Sequence, residues 1–118
     1  MKNDLALRTK QFALRVIRLC EALPKTSTAR VIGNQLLRCG TAVGANYRAT
    51  CRARSRPDFV SKMGVVLEEA DETVYWLELL IESHTMERQR LQRLLEEAEE
   101  LVAIFAASRL TAMAGARR

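Results

Sequence analysis

Pro24 and Pro57 are the only prolines in 118 residues, and around them apolar side chains recur at three- and four-residue steps. That spacing marks amphipathic helices and leaves little room for turn-rich β structure. Leu5, Phe12, Val16, Leu19 and Leu23 define a first helix from about residue 3 to 23, broken by Pro24 and the polar Lys25-Thr26-Ser27. A second runs from about 28 to 53. Ser55, with Pro57 in the first turn and Asp58 three residues on, starts a third over 56–83. After His84 and Thr85, a fourth covers 86–113, and residues 115–118 form a flexible basic tail. Four such helices with short connections predict one all-α domain over 1–118, an antiparallel up-down-up-down four-helix bundle.

Aromatic residues make up only 5% of the chain, so the core must be built mainly from Leu, Val, Ile and Ala. No apolar run reaches the roughly 18 residues that a membrane-spanning helix needs. The N-terminal MKNDLALRTK lacks the apolar stretch of a secretory signal. Cys20, Cys39 and Cys51 are odd in number and form no CxxC pair, which predicts reduced, partly buried thiols in a cytoplasmic protein. His84, the single histidine, has no second metal ligand at helical spacing. No Ser or Cys is placed with a histidine base, and Gly40 and Gly44 sit inside a helix instead of following a strand. The expectation is a non-enzyme without cofactor, metal or small-molecule substrate.

Charge is divided along the chain. Residues 30–62 carry Arg30, Arg38, Arg48, Arg52, Arg54, Arg56 and Lys62 against Asp58 alone, a net +6; residues 64–101 carry eleven acids and three arginines, a net −8. At about 100° per residue, Arg30, Arg38, Arg48 and Arg52 fall within a wedge of about 80° on the second helix, a stripe roughly 33 Å long. Leu36, Leu37, Gly40, Val43, Tyr47 and Cys51 cluster on the other side and are expected to point inward.

Each interior glycine of that helix costs roughly 1 kcal/mol relative to alanine. Close approach of another helix at Gly40, Ala42, Gly44 and Ala45 would explain them, and a local kink is the competing account. On the third helix Phe59, Met63, Val66, Leu67, Ala70, Val74, Leu77 and Ile81 make a core stripe. Val65, Tyr75, Trp76 and Leu79 lie outside it among acids, the pattern of a partner surface. With Gly40 and Gly44 they are the expected contacts of a homo-oligomer; a covering N- or C-terminal segment is the alternative.

Gln35-Leu36-Leu37-Arg38, Gly40-Thr41, Gly44-Ala45-Asn46-Tyr47-Arg48, Ala53-Arg54-Ser55, Asp58-Phe59, Lys62, Glu68-Glu69-Ala70-Asp71-Glu72 and Tyr75-Trp76-Leu77-Glu78-Leu79-Leu80 stand in an order that resembles a known family. It is the bacterial four-helix-bundle proteins of 23S rRNA intervening sequences, also labelled S23-type. Ala42 and Ala49 depart from it, standing where members tend to carry a serine and an acid. The resemblance implies a left-handed bundle and a homopentameric ring. It also implies kinship with the accessory protein of diversity-generating retroelements, which associates with nucleic acid and a reverse transcriptase.

Two functions follow as expectations. The first is a nucleic-acid-binding oligomer, RNA before DNA, contacting phosphates through the arginine stripe with Arg54, Arg56 and Lys62. No aromatic stacking platform or sequence-reading motif accompanies the arginines, so backbone contacts are expected. The second is a scaffold whose basic stripe pairs with acidic helices of neighbouring subunits or with a protein partner.

Overall fold

The computed structural model describes residues 4–116, and among these it forms four helices and no strand. They are α1 (Asp4–Glu21), α2 (Ser27–Thr50), α3 (Arg56–Glu82) and α4 (Arg88–Ala116). The body measures 51 × 23 × 20 Å. Each helix packs chiefly on its neighbours in sequence, and α1 meets α4 more narrowly. Residues 1–3 and 117–118, parts of the expected first helix and basic tail, lie outside the described residues, whereas Gly115 and Ala116 continue α4.

The helix ends differ from the periodicity reading for local reasons. α1 stops at Glu21 because Leu23 precedes Pro24, a position that disfavours helical backbone. α2 starts at Ser27, since the Thr26 hydroxyl accepts the Ala29 N–H at 3.1 Å. It ends at Thr50, so Arg52 stands in the turn beyond it. Ser55 caps α3 as its position predicts, its hydroxyl accepting the Asp58 N–H at 3.1 Å.

The end of α3 is closed by His84 in the left-handed region, φ 58°. Its N–H bonds to the Ile81 carbonyl at 3.0 Å and the Thr85 N–H to Leu80 at 3.1 Å, the two bonds of a Schellman closure. The connection is therefore longer than His84–Thr85, and Met86 is buried in it before α4 begins.

The core runs the length of the body. Phe12, Val16, Leu36, Val43, Met63, Val66, Leu77, Leu80, Leu91, Leu101 and Phe105 are buried at 0–1% exposure. Fully burying such a side chain contributes roughly 1.5–3 kcal/mol. Tyr47 and Phe105 meet across it from α2 and α4, ring centroids 5.9 Å apart. Thr9, Thr50 and Thr73 are buried too, their hydroxyls donating to backbone carbonyls of their own helices at 2.8–3.0 Å.

The glycines of α2 mark close approach, and the approaching helix is α1 of the same chain. A Cβ on Gly40 would meet both Val16 methyls at 2.9 Å, and one on Gly44 would meet Thr9 at 3.3 Å. Gly40 and Gly44 are buried in this seam. Their expected place in an oligomer contact is thereby corrected: the small residues seat α1, and periodicity alone does not say which helix comes near. As α2 rises from Gly33 through Gly40 to Gly44, its α1-side partners fall from Leu23 through Val16 to Thr9.

Candidate nucleic-acid interface

Arg30 and Arg48 lie on the exposed side of α2, with Arg52, Arg54 and Arg56 following through the turn into α3, all exposed. Among the described residues, none of these five guanidiniums has a hydrogen bond or an ion pair. Arg48, Arg52, Arg54 and Arg56 gather at the α2–α3 end of the body. Arg30 stands apart, about 27 Å from Arg48 by the rise of the helix. Lys10 of α1 adds to this charge, flanking with Arg48 a groove of about 370 Å³ between α1 and α2. Sequence reasoning missed Lys10, because its nearness to Arg48 depends on how α1 packs.

Arg38 behaves differently. Its guanidinium donates to Glu72 Oε2 of α3 and lies 3.5 Å from Glu69 Oε2, a buried atom without a hydrogen-bond donor. Glu72 also accepts the Trp76 Nε1–H at 3.0 Å. That bond, with the Arg38 pair, holds its carboxyl below the usual range. Acids of the same chain thus engage the second of the four stripe arginines. Lys62 is likewise paired, 3.0 Å from Asp58 Oδ2. Lys62 and the Arg54 N–H keep Asp58 below the ordinary carboxylate range.

The acidic half is engaged on its other side as well. Arg8 Nε and Nη2 donate to the two oxygens of Glu97, each at 2.7 Å, and Nη2 reaches Glu100 at 3.2 Å. Glu97 is lowered first by Arg8, with help from Arg15. Glu68, Asp71, Glu78 and Glu82 face outward on α3, and among the described residues no ion pair takes up their charge.

Of the expected oligomer contacts, Val65 and Tyr75 are exposed, at 44% and 51%. Trp76 and Leu79 are half-buried and pack against the chain's own core. Tyr75 and Trp76 meet edge to face at 5.0 Å. Cys51, expected to point inward, is exposed at the C-cap of α2, whereas Cys39 is buried and Cys20 half-buried. Burial pushes the Cys20 thiol up to about 11. Among the described residues no group of three His, Cys, Asp or Glu is placed to hold a metal ion, and no helix is long and apolar enough to cross a membrane.

Comparison with known proteins adds a family relationship. The family model described as 23S rRNA-intervening sequence protein matches residues 1–107. A crystal structure from Bacteroides thetaiotaomicron VPI-5482, of a protein with unknown function from the S23 ribosomal protein family, is similar at a TM-score of 0.82 and 34% identity. The match covers 88% of this chain and 96% of that one. No curated protein matches the chain.

Proposed function

This chain belongs to the 23S rRNA-intervening sequence protein family, and from that premise we propose that it is a non-enzymatic, homo-oligomeric nucleic-acid-binding protein of the cytoplasm. It contacts phosphates of structured RNA, in preference to DNA, through Arg30, Arg48, Arg52, Arg54 and Arg56. The observation that carries the reading is that among the described residues these five arginines, alone of the predicted basic set, form no ion pair. An unpaired surface guanidinium gives up little on meeting a phosphate and releases condensed counterions when it does. The descending partners of the α2 glycines support the antiparallel arrangement, and the proposal includes left-handed winding and a ring of five.

The test is fluorescence anisotropy of a structured RNA and a duplex DNA over a salt series, with Arg48→Glu/Arg52→Glu alongside wild type. Four to five phosphate contacts predict a log–log salt slope near −4 for wild type. The variant should bind at least tenfold more weakly. Unchanged binding by a variant of native mass removes the arginines from the interface.

A second reading, a protein scaffold, is favoured by the outer face of α3. There Val65 and Tyr75 stand exposed beside Glu68, Asp71, Glu78 and Glu82. Such a ridge complements the arginines of a neighbouring copy or a basic protein partner. Dissociation of the Arg48→Glu/Arg52→Glu variant into 13.3 kDa monomers, seen by light scattering, would select this reading.

A further inference from the structure

A groove of about 940 Å³ lies at the α2–α3 end of the body. The described part of α1 does not reach it. α1 has 18 residues and α4 has 29, roughly 27 Å against 43 Å. Thr9 of α1 sits opposite Gly44, so Asp4 reaches only about the level of Arg48–Thr50. Beyond that level Ser108, Thr111 and Ala112 of α4 lie on a face that no described α1 residue covers, and they form one wall of the groove.

The other walls supply two kinds of chemistry. Phe59 of α3, half-buried, and Ala53 give a flat apolar side, and Tyr47 forms the floor, held by its contact with Phe105. Among the described residues, Arg54 and Arg56 at the rim form no ion pair. The nearest acid, Asp58, is already taken up by Lys62 and the Arg54 N–H. Arg56 approaches α4 closely: its Nη1 lies 1.7 Å from where a Cβ on Gly115 would sit. The guanidinium therefore lies against the last turn of α4, a helix end that favours a cation. Apolar and aromatic walls with a few convergent polar groups, at this size, characterise a small-molecule site.

A flat apolar wall beside two cations fits an aromatic ring that carries an anion. We infer that this groove holds one unpaired nucleotide, its base against Phe59 and its phosphate on Arg54 and Arg56. The inference rests on the nucleic-acid reading for the strand that delivers the nucleotide, and it assigns that strand's unpaired end a place. A base still paired in a helix cannot enter a groove between protein helices; a splayed one can.

Three probes separate the possibilities: a blunt RNA hairpin, the same hairpin with a three-nucleotide 3′ tail, and adenosine 5′-monophosphate. Each is titrated against wild type and against Thr111→Trp, which fills the groove from an exposed position. In wild type the tail should tighten binding about tenfold, the gain expected of one stacked base; in Thr111→Trp that ratio should fall below about twofold. Equal affinity of wild type for blunt and tailed hairpins overturns the groove assignment and leaves the phosphate contacts standing. If neither hairpin binds, the nucleic-acid reading fails, and the monophosphate decides. Its binding to wild type but not to Thr111→Trp supports the groove as a site for a free nucleotide, and its failure to bind overturns the groove too. Ser108→Leu, on the same wall, takes the place of Thr111→Trp should that variant not fold.

Discussion

Arg38 on α2 and Glu72 on α3 are joined by a hydrogen-bonded ion pair that removes the second arginine from the surface stripe. Arg38 is half exposed, so solvent screens the pair and it adds little to stability. Its larger effect should be on binding. Glu69→Gln/Glu72→Gln is expected to unfold close to wild type while freeing Arg38 for a phosphate. The salt slope of RNA binding should then steepen by about 0.9, the increment for one added contact. An unchanged slope would show that Arg38 stays out of reach.

The seam between α1 and α2 makes opposite predictions for two glycines. Gly40→Ala forces a methyl against both branches of Val16 in a fully buried contact. Overpacking of that kind costs about 1–3 kcal/mol, more than the roughly 1 kcal/mol gained in helix propensity. Gly33→Ala meets only the far end of the Leu23 side chain, which can turn aside. Chemical denaturation should therefore find Gly40→Ala destabilised and Gly33→Ala neutral or stabilised by up to about 1 kcal/mol.

Arg8 and Glu97 tie α1 to α4, and their pair sets an acid limb to stability. Glu97 is held below its unfolded value of about 4.3, so its contribution is present above that pH and is lost as pH falls through the lower folded value. Arg8→Ala should cost about 1–2 kcal/mol at pH 7 for a partly exposed, two-bond ion pair. Denaturation midpoints taken from pH 7 down to 3 should show the gap from wild type closing below about pH 4.

His84 sits in a left-handed conformation that costs an ordinary residue roughly 1–2 kcal/mol. Its side chain is exposed. His84→Gly relieves that strain but loosens the unfolded chain, leaving a net gain of about 0.5–1 kcal/mol. A lower melting temperature would mean that the imidazole contributes something the backbone geometry does not.

Thiol reactivity offers a quick check on the end of α2. Only Cys51 is exposed, so one equivalent of maleimide should react rapidly at neutral pH. Cys51→Ser should abolish that phase, with Cys20 and Cys39 labelled only on unfolding. Rapid loss of two thiols would contradict the burial of Cys39.

Much of this fold is legible in one dimension. The four helical periods, the Ser55 cap and the outward direction of Arg30 and Arg48 each depend on spacing within a few residues. What could not be read depends on which helix lies alongside. The seam at Gly40 and Gly44 looks the same in sequence whether its occupant is α1 or another subunit. Arg38 looks like Arg48 until Glu69 and Glu72 of α3 come within reach. Cys51 shares a helical phase with Tyr47, but it caps the helix at an end of the body, where burial depends on what packs beside it. The groove above Tyr47 has no sequence signal, because its walls come from segments far apart in the chain.

Arg56 resting on Gly115 bears on how motion is distributed along the body. Among the described residues, a side-chain hydrogen bond ties the final turns of α4 to α3, Arg109 Nε to the Val60 carbonyl at 3.1 Å, and the Arg56 guanidinium lies against Gly115 without one. Amide protons there should exchange with solvent in a graded sequence, fastest near Ala116 and slowing toward Phe105, while the middle of α3 stays protected. A molecule seated between Phe59 and Thr111 would bridge those turns to α3 and flatten that gradient. Occupancy of one end would then be recorded as protection along a single helix.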